Sequence, residues 1–422
     1  MLRTIRRAAA TVAAGSLVLL LTMVAIEAGF RMAPGLIPEN LLKRFEPTAR
    51  GAIAARRFLP NASQTWEPAR TDDGPPIKLF EPHAEFAYTF VDTGEHGMLR
   101  MDALGFCNPP ADDPDRAHIP IIAIGDSFTA CHAPAPERTW PSLLGRTLGR
   151  GAYNLGRGGY GPYEYLELLR LFGIAKTPEV VVMQIYEGND LRDAARYAAY
   201  RDASPTERRR FLERAGWDPL RFEPAAWLDN ALGRSSWAYD FVVVGSAVEL
   251  SHLVDRLAAE PRSKIDLRYD LELPAGPIAM NAQNNDRDEV RTARDVESGA
   301  LALELFDPAL DRFTALAREN RFLPVVAYAP TAYTAYAEFV RFRDPTVGPP
   351  LAAFSARQRE HLAHAAAARG LAFVDLTPAF QAAARERGGE LLYYPLNVHY
   401  TPAGQRVVAD TLAAAIRSRL VD

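Results

Sequence analysis

Ser127, Gly159, Asn189 and His399 supply, in chain order, a hydroxyl, a backbone amide without side-chain cover, a side-chain amide and an imidazole. Brought together, they could act as nucleophile, two donors to a developing oxyanion, and general base. That is the set required for acyl transfer through a covalent intermediate. Each alone is a weak signal. Ser127 closes Gly125-Asp126-Ser127, where a serine also serves as an ordinary helix cap. Gly159 lies in Asn154-Leu-Gly-Arg-Gly-Gly-Tyr-Gly161, which also reads as a glycine-rich turn, and Asn189 in Glu187-Gly-Asn-Asp190. His399 sits in Pro395-Leu-Asn-Val-His-Tyr-Thr-Pro-Ala-Gly404. The order gives them weight, because the residues fall after successive strand ends and ahead of the last helix, where α/β sheets place their chemistry.

The elements that must position them alternate from Pro120 onward. Ile121–Ile124 is a short β-branched run that breaks at Gly125, which predicts a buried strand delivering Ser127 to a turn. A helix near Trp140–Leu148, a strand at Ala152–Leu155 and a helix over Tyr163–Phe172 follow. The continuous apolar run Val180–Tyr186 suits the centre of a parallel sheet. Further on, the spacing predicts a helix over Leu301–Glu319, a strand at Phe322–Tyr328, a helix over Ser355–Ala368, a strand at Leu371–Val374 and a closing helix over Pro402–Leu420. Units of this kind imply an α/β fold: a doubly wound, flavodoxin-like sheet of five parallel strands in a three-layer α/β/α arrangement. The stretch from about 200 to 298 is too long for a connection and reads as a helical insertion over the carboxyl edge of the sheet, a candidate lid. It carries Arg208-Arg-Arg210 and three of the five tryptophans, read as a local core.

Ahead of this domain, Arg3, Arg6 and Arg7 precede an uncharged run, residues 8–26. As a helix it would be about 28 Å long, close to the hydrocarbon thickness of a bilayer. The charge placement predicts a single-pass anchor with the rest of the chain exported. The acid at Glu27 makes a poor cleavage site, so residues 1–32 are read as cytoplasmic N-terminus and retained anchor. Residues 33–119 are rich in proline and glycine and read as a stalk with a small β-rich segment, and 120–422 as the main domain. A formal charge of −4 gives no reason to expect nucleic acid or an anionic membrane surface as partner. Cys107 and Cys131 are the only cysteines, and a disulfide and two buried thiols both fit them. No metal is expected, since His361 and His364 have no third ligand nearby, and no cofactor. A dinucleotide-binding reading fails because the glycine-rich turn follows the second strand and not the first.

With Gly125-Asp126-Ser127, Gly159, Gly188-Asn189-Asp190 and His399 in this order, the chain resembles the SGNH (GDSL-like) hydrolases over most of 120–200 and 300–422. The resemblance implies Ser127 as nucleophile and His399 as base. It implies the Ser127 and Gly159 amides and the Asn189 side chain as oxyanion donors, with Asp126 and Asp190 in support. Together with the anchor, it resembles the bacterial envelope branch, whose members remove or transfer acyl groups, often acetyl, on extracytoplasmic glycans. The implied partner is an acylated carbohydrate or envelope polymer, and the implied location the inner membrane with the catalytic domain in the periplasm or outside the cell. One position departs. The family has an aspartate two or three residues before the histidine, and Asn397 and Leu396 stand there. An amide orients an imidazole but supplies no charge, and in a serine protease the Asp-to-Asn change lowers turnover about 10⁴-fold. A backbone carbonyl, Asp375 or Glu390 are the alternatives. A catalytically impaired member that binds a glycan or an envelope partner is the second functional reading.

Overall fold

A computed structural model of the chain begins with a helix, Leu2–Met32, whose segment Ala13–Met32 is long and apolar enough to cross a membrane. This segment lies toward the carboxyl end of the predicted 8–26 run, because the helix continues without a break through Glu27 and Arg31, which pair with each other. The structure describes residues 2–37, 65–69, 77–80, 82–83, 85–89, 96–109, 117–131, 135–204, 236–239, 241–242, 246, 267–274, 276–280, 287–386 and 390–420. Two antiparallel pairs precede the main sheet: β1 (Thr65–Ala69) with β2 (Ile77–Phe80), and β3 (Glu85–Thr89) with β4 (His96–Arg100).

The main sheet is built from β5 (Ile121–Ile124), β6 (Ala152–Asn154) and β7 (Val180–Tyr186), each buried along its whole length. Between them and the last two strands, a hairpin of β8 (Tyr269–Leu273) and β9 (Gly276–Met280) forms a separate antiparallel sheet. Then come β10 (Leu323–Ala329), β11 (Val340–Phe342), which pairs with β8, and β12 (Ala372–Asp375). The five parallel strands run in the order β12-β10-β7-β5-β6. From the other edge this is the 2-1-3-4-5 order of a doubly wound sheet, with its topological switch point between β5 and β7. Helices Trp140–Leu148, Thr377–Glu386 and Pro402–Leu420 pack in one group, and Pro162–Leu168, Asp307–Asn320 and Gly348–Arg369 in another, giving the two outer layers.

Two expectations need correcting. The long helix begins at Gly348, well before Ser355, because Pro349 and Pro350 occupy its first turn, where a missing N–H costs nothing. The insertion is helical at Arg287–Glu297 but also forms the β8–β9 hairpin, whose Tyr269 and Leu271 face inward while Glu272 stays exposed. Within the insertion Trp237 is fully buried; Arg208–Arg210, Trp217 and Trp227 lie outside the described residues.

Candidate active site

Ser127 is presented by a turn fixed from several sides. At Gly125 an added Cβ would lie 2.1 Å from Thr129 Oγ1, so only glycine lets the chain fold back there. Asp126 Oδ1 accepts from the Phe128 amide at 2.9 Å, and the Asp126 carbonyl accepts from Thr129 and Ala130 at 3.1 and 3.0 Å. Thr129 Oγ1 donates to Gln184 at 2.8 Å, which accounts for a glutamine in the apolar run of β7. The loop after β6 is stitched to the same turn: Asn154 Nδ2 donates to the Thr129 carbonyl at 2.7 Å and the Arg157 amide to the Gly125 carbonyl at 2.9 Å. Cys107 and Cys131 are joined by a disulfide, which fastens the segment before the domain to the end of the turn.

His399 arrives from the opposite side on a short hairpin. The Tyr394 amide donates to the His399 carbonyl at 2.8 Å and the Val398 amide to the Tyr394 carbonyl at 2.9 Å, closing the loop. Closure puts Val398 at φ 55°, a left-handed conformation that is strained for a β-branched residue. At the loop's exit, a Cβ on Gly404 would meet the Leu392 carbonyl oxygen at 2.2 Å. The imidazole stacks on Phe128, with centroids 4.6 Å apart, and Phe128 stacks in turn on Tyr186 at 3.8 Å.

The two pieces meet where Ser127 Oγ and His399 Nε2 lie 2.8 Å apart. The other ring nitrogen, Nδ1, is 3.0 Å from the backbone carbonyl of Asn397. A carbonyl only accepts, so Nδ1 carries the proton and Nε2 is left with a lone pair toward the serine hydroxyl. The side chain of Asn397 does something else: its Oδ1 accepts from the His399 amide at 3.0 Å. Asp375 is turned to Arg359 and the Thr377 amide, and Glu390 is exposed. The contact to Nδ1 is thus made by main chain, which offers a dipole and not a full charge.

Gly159 and Asn189 follow β6 and β7, the strands on either side of β5. Gly159 has φ 79°, which favours glycine, and is exposed. Asn189 Nδ2 donates one N–H to Asp193 Oδ2 at 3.2 Å, and an amide nitrogen has a second to offer. Two residues not singled out from the sequence, Asp193 and Arg196, link these two positions. Arg196 reaches the Gly159 carbonyl at 3.3 Å and Asp193 at 2.9 Å, so Asp193 and Arg196 form a clamp across both loops. A Cβ at Gly161 would lie 2.5 Å from that of Asp193, so the glycine-rich loop packs directly on the clamp. The available signal was Asp-x-x-Asp-x-x-Arg from Asp190 on, a repeat of three on the first turns of helix Asp190–Asp202.

Beneath the site the acids are buried. Burial pushes the Asp126 carboxyl up to about 7, opposed by the Phe128 amide. Asp190 accepts from the Tyr186 amide at 2.9 Å and from Tyr165 Oη at 2.7 Å, and burial, then the charges of Asp126 and Asp193, hold its carboxyl well above the usual range. Among the described residues, no group of histidine, cysteine and acid side chains is arranged to hold a metal ion, and His361 pairs with Asp307 at 3.0 Å.

Residues 309–422 match the family model described as the SGNH hydrolase-like domain of the acetyltransferase AlgX. Over that segment the chain is similar to an SGNH hydrolase-like domain. The matched segment contains His399, while Ser127, Gly159 and Asn189 precede it. Nothing among curated proteins matches the sequence. Among solved structures, a putative lipolytic protein of the G-D-S-L family from Desulfitobacterium hafniense is 13% identical, with a TM-score of 0.35 over 71% of this chain and 99% of that one. A putative SGNH hydrolase from Slackia heliotrinireducens is 17% identical, with a TM-score of 0.33 over 71% and 99%. A catalytic mutant of an acetylxylan esterase from Geobacillus stearothermophilus is 12% identical, with a TM-score of 0.34 over 71% and 95%. Scores this low carry no argument about the activity or substrate of this chain.

Proposed function

We propose that this protein is an extracytoplasmic serine esterase or O-acyltransferase that acts on an acylated carbohydrate or cell-envelope polymer, most simply an acetylated one. The observation that carries the reading is the Ser127 Oγ to His399 Nε2 contact of 2.8 Å, with Nδ1 held on the Asn397 carbonyl. In the proposed cycle, Nε2 takes the hydroxyl proton as Oγ attacks the acyl carbonyl. The oxyanion that forms is met by N–H groups of Ser127, Gly159 and Asn189, the last two set by the Asp193–Arg196 clamp. Collapse returns the proton from His399 to the departing sugar oxygen and leaves the acyl group on Ser127. Water or a second sugar hydroxyl, deprotonated by the same nitrogen, then accepts it. Orientation and tautomer come from the main chain; the imidazolium gains a dipole from the carbonyl in place of a full charge. The bonded Cys107–Cys131 pair and the apolar segment Ala13–Met32 support export and anchoring.

The test is turnover of an acetyl ester, with and without a sugar acceptor, by the native protein and by Ser127→Ala. Loss of at least about 10⁴-fold in kcat in the variant is expected for removal of a nucleophile. The carbonyl in place of a carboxylate favours one rival, an impaired member that binds a glycan. That protein would show no turnover to lose and would keep its ligand affinity in Ser127→Ala.

A further inference from the structure

The N-terminal helix is gripped as it leaves its apolar span. One oxygen of Glu27 accepts from Arg31 Nε at 2.5 Å, and the other from Ser236 Oγ at 2.9 Å and the Ala238 amide at 2.8 Å. One turn further, Phe30 meets Phe241 edge to face with centroids 5.5 Å apart. Trp237, Ala238 and Tyr239, between these contacts, are buried, whereas Phe241 remains 38% exposed. An acid within an apolar span is costly unless it is paired, and such residues carry a role by default. Here the partners come from the insertion, with 209 and 211 residues separating them from Glu27 in sequence.

Height along the helix decides what this contact faces. Ala13–Met32 as a helix is about 30 Å long, the thickness of a bilayer's hydrocarbon core. Leu17–Leu21 and Val24 are exposed, as lipid-facing side chains would be. Phe30 belongs to the last turn of that span, so the residues that touch Phe30 and Glu27 lie where hydrocarbon gives way to headgroups. A partly exposed phenylalanine at that level suits the acyl boundary.

We propose that the insertion's turn carrying Ser236, Trp237, Ala238 and Phe241 is a membrane-docking collar. It seats on the exit of the anchor through Glu27 and lays Phe241 into the outer interface of the lipid bilayer. The domain is then held against the membrane surface, not swung on a free tether, and the anchor is kept because its Glu27 is part of the folded contact. This inference rests on the anchor reading. It assigns the insertion, at this turn, to lipid and not to substrate.

The experiment uses the full chain in lipid nanodiscs. Val242→Cys, next to Phe241, and Leu19→Cys are each labelled with an environment-sensitive fluorophore, the native cysteines being joined to each other. Quenchers are carried on lipids at the headgroup or deep in the acyl chain. The collar predicts that the label at 242 is quenched by the shallow lipid, that the label at 19 is quenched by the deep one, and that Glu27→Ala and the milder Ser236→Ala each abolish most of the quenching at 242 but not at 19. Quenching at 19 with none at 242 overturns the collar and leaves the anchor standing. Quenching at 242 that persists in both variants overturns Glu27 as its seat. No quenching at either position removes the anchor and the collar together.

Discussion

The serine turn and the histidine loop contribute one atom each to a contact of 2.8 Å, but they are held in place by different means. The turn is overdetermined: Gly125 is sterically required, Thr129 and Asn154 bond across strands, and a disulfide closes over it. The loop has no covalent brace: it is held by main-chain hydrogen bonds, the Asn397 side chain, a sterically required Gly404 and the buried rings of Tyr393 and Tyr400, and it carries a strained Val398. A nucleophile has to stay at the end of its strand, and sheet register does that. A base has to present the right tautomer at the right angle, and in the proposed cycle a single carbonyl does so. Loss of the covalent brace should therefore be felt in stability, and loss of the contacts around the imidazole in rate.

Breaking the covalent brace should have the largest effect, and on stability alone. Replacing Cys107 and Cys131 by serine opens a link with a sequence separation of 24. Unfolding in urea should show a loss of about 3 kcal/mol, with kcat preserved below the melting point. On the loop, Asn397→Ala removes the acceptor for the His399 amide. One hydrogen bond, about 1 kcal/mol, corresponds to a fall of up to about tenfold in kcat, with KM and melting temperature nearly unchanged. Equal losses of stability from both changes would erase the distinction.

A third prediction concerns pH. Asp126 titrates at about 7 in the folded chain against a reference of 3.8. The native state therefore holds a proton that the unfolded chain releases earlier. That contribution is fully present below the unfolded value and is lost as pH rises to the folded one, so the melting temperature should fall between about pH 4 and pH 7. Asp126→Asn, which keeps an acceptor for the Phe128 amide, should flatten this fall. The smallest effect should come from Asn397→Asp. The side chain at this position faces the His399 amide and not Nδ1, so an added carboxylate leaves the carbonyl contact in place. Partly screened charge should change kcat by less than about tenfold.

The sheet was legible because its strands are short apolar runs: Ile121–Ile124 and Val180–Tyr186 can only be buried. Ser127 was singled out by its place after such a run and His399 by its place ahead of the last helix, and the two lie 2.8 Å apart. Which of a backbone carbonyl, Asp375 and Glu390 meets the Nδ1 of His399 was not legible, since the loop turns through a positive φ at Val398 that a valine gives no reason to expect. Nor was the cysteine pairing, which requires the 5.9 Å approach of two Cα atoms that only the fold creates. The Asp193–Arg196 clamp was within reach of helical spacing, but its meaning depends on two loops from different strands meeting over one helix. In the insertion, read as helical throughout, the β8–β9 hairpin was not expected, and its inward-facing Tyr269 and Leu271 take their meaning from the partner strands that the fold supplies.

The most direct test of the paired serine and histidine is labelling with a fluorophosphonate, which reacts only with an activated serine, followed by peptide mass analysis. The account predicts one adduct, on Ser127, that is absent in Ser127→Ala and strongly slowed in His399→Ala. A native protein that stays unlabelled, or an adduct on another serine, would contradict it.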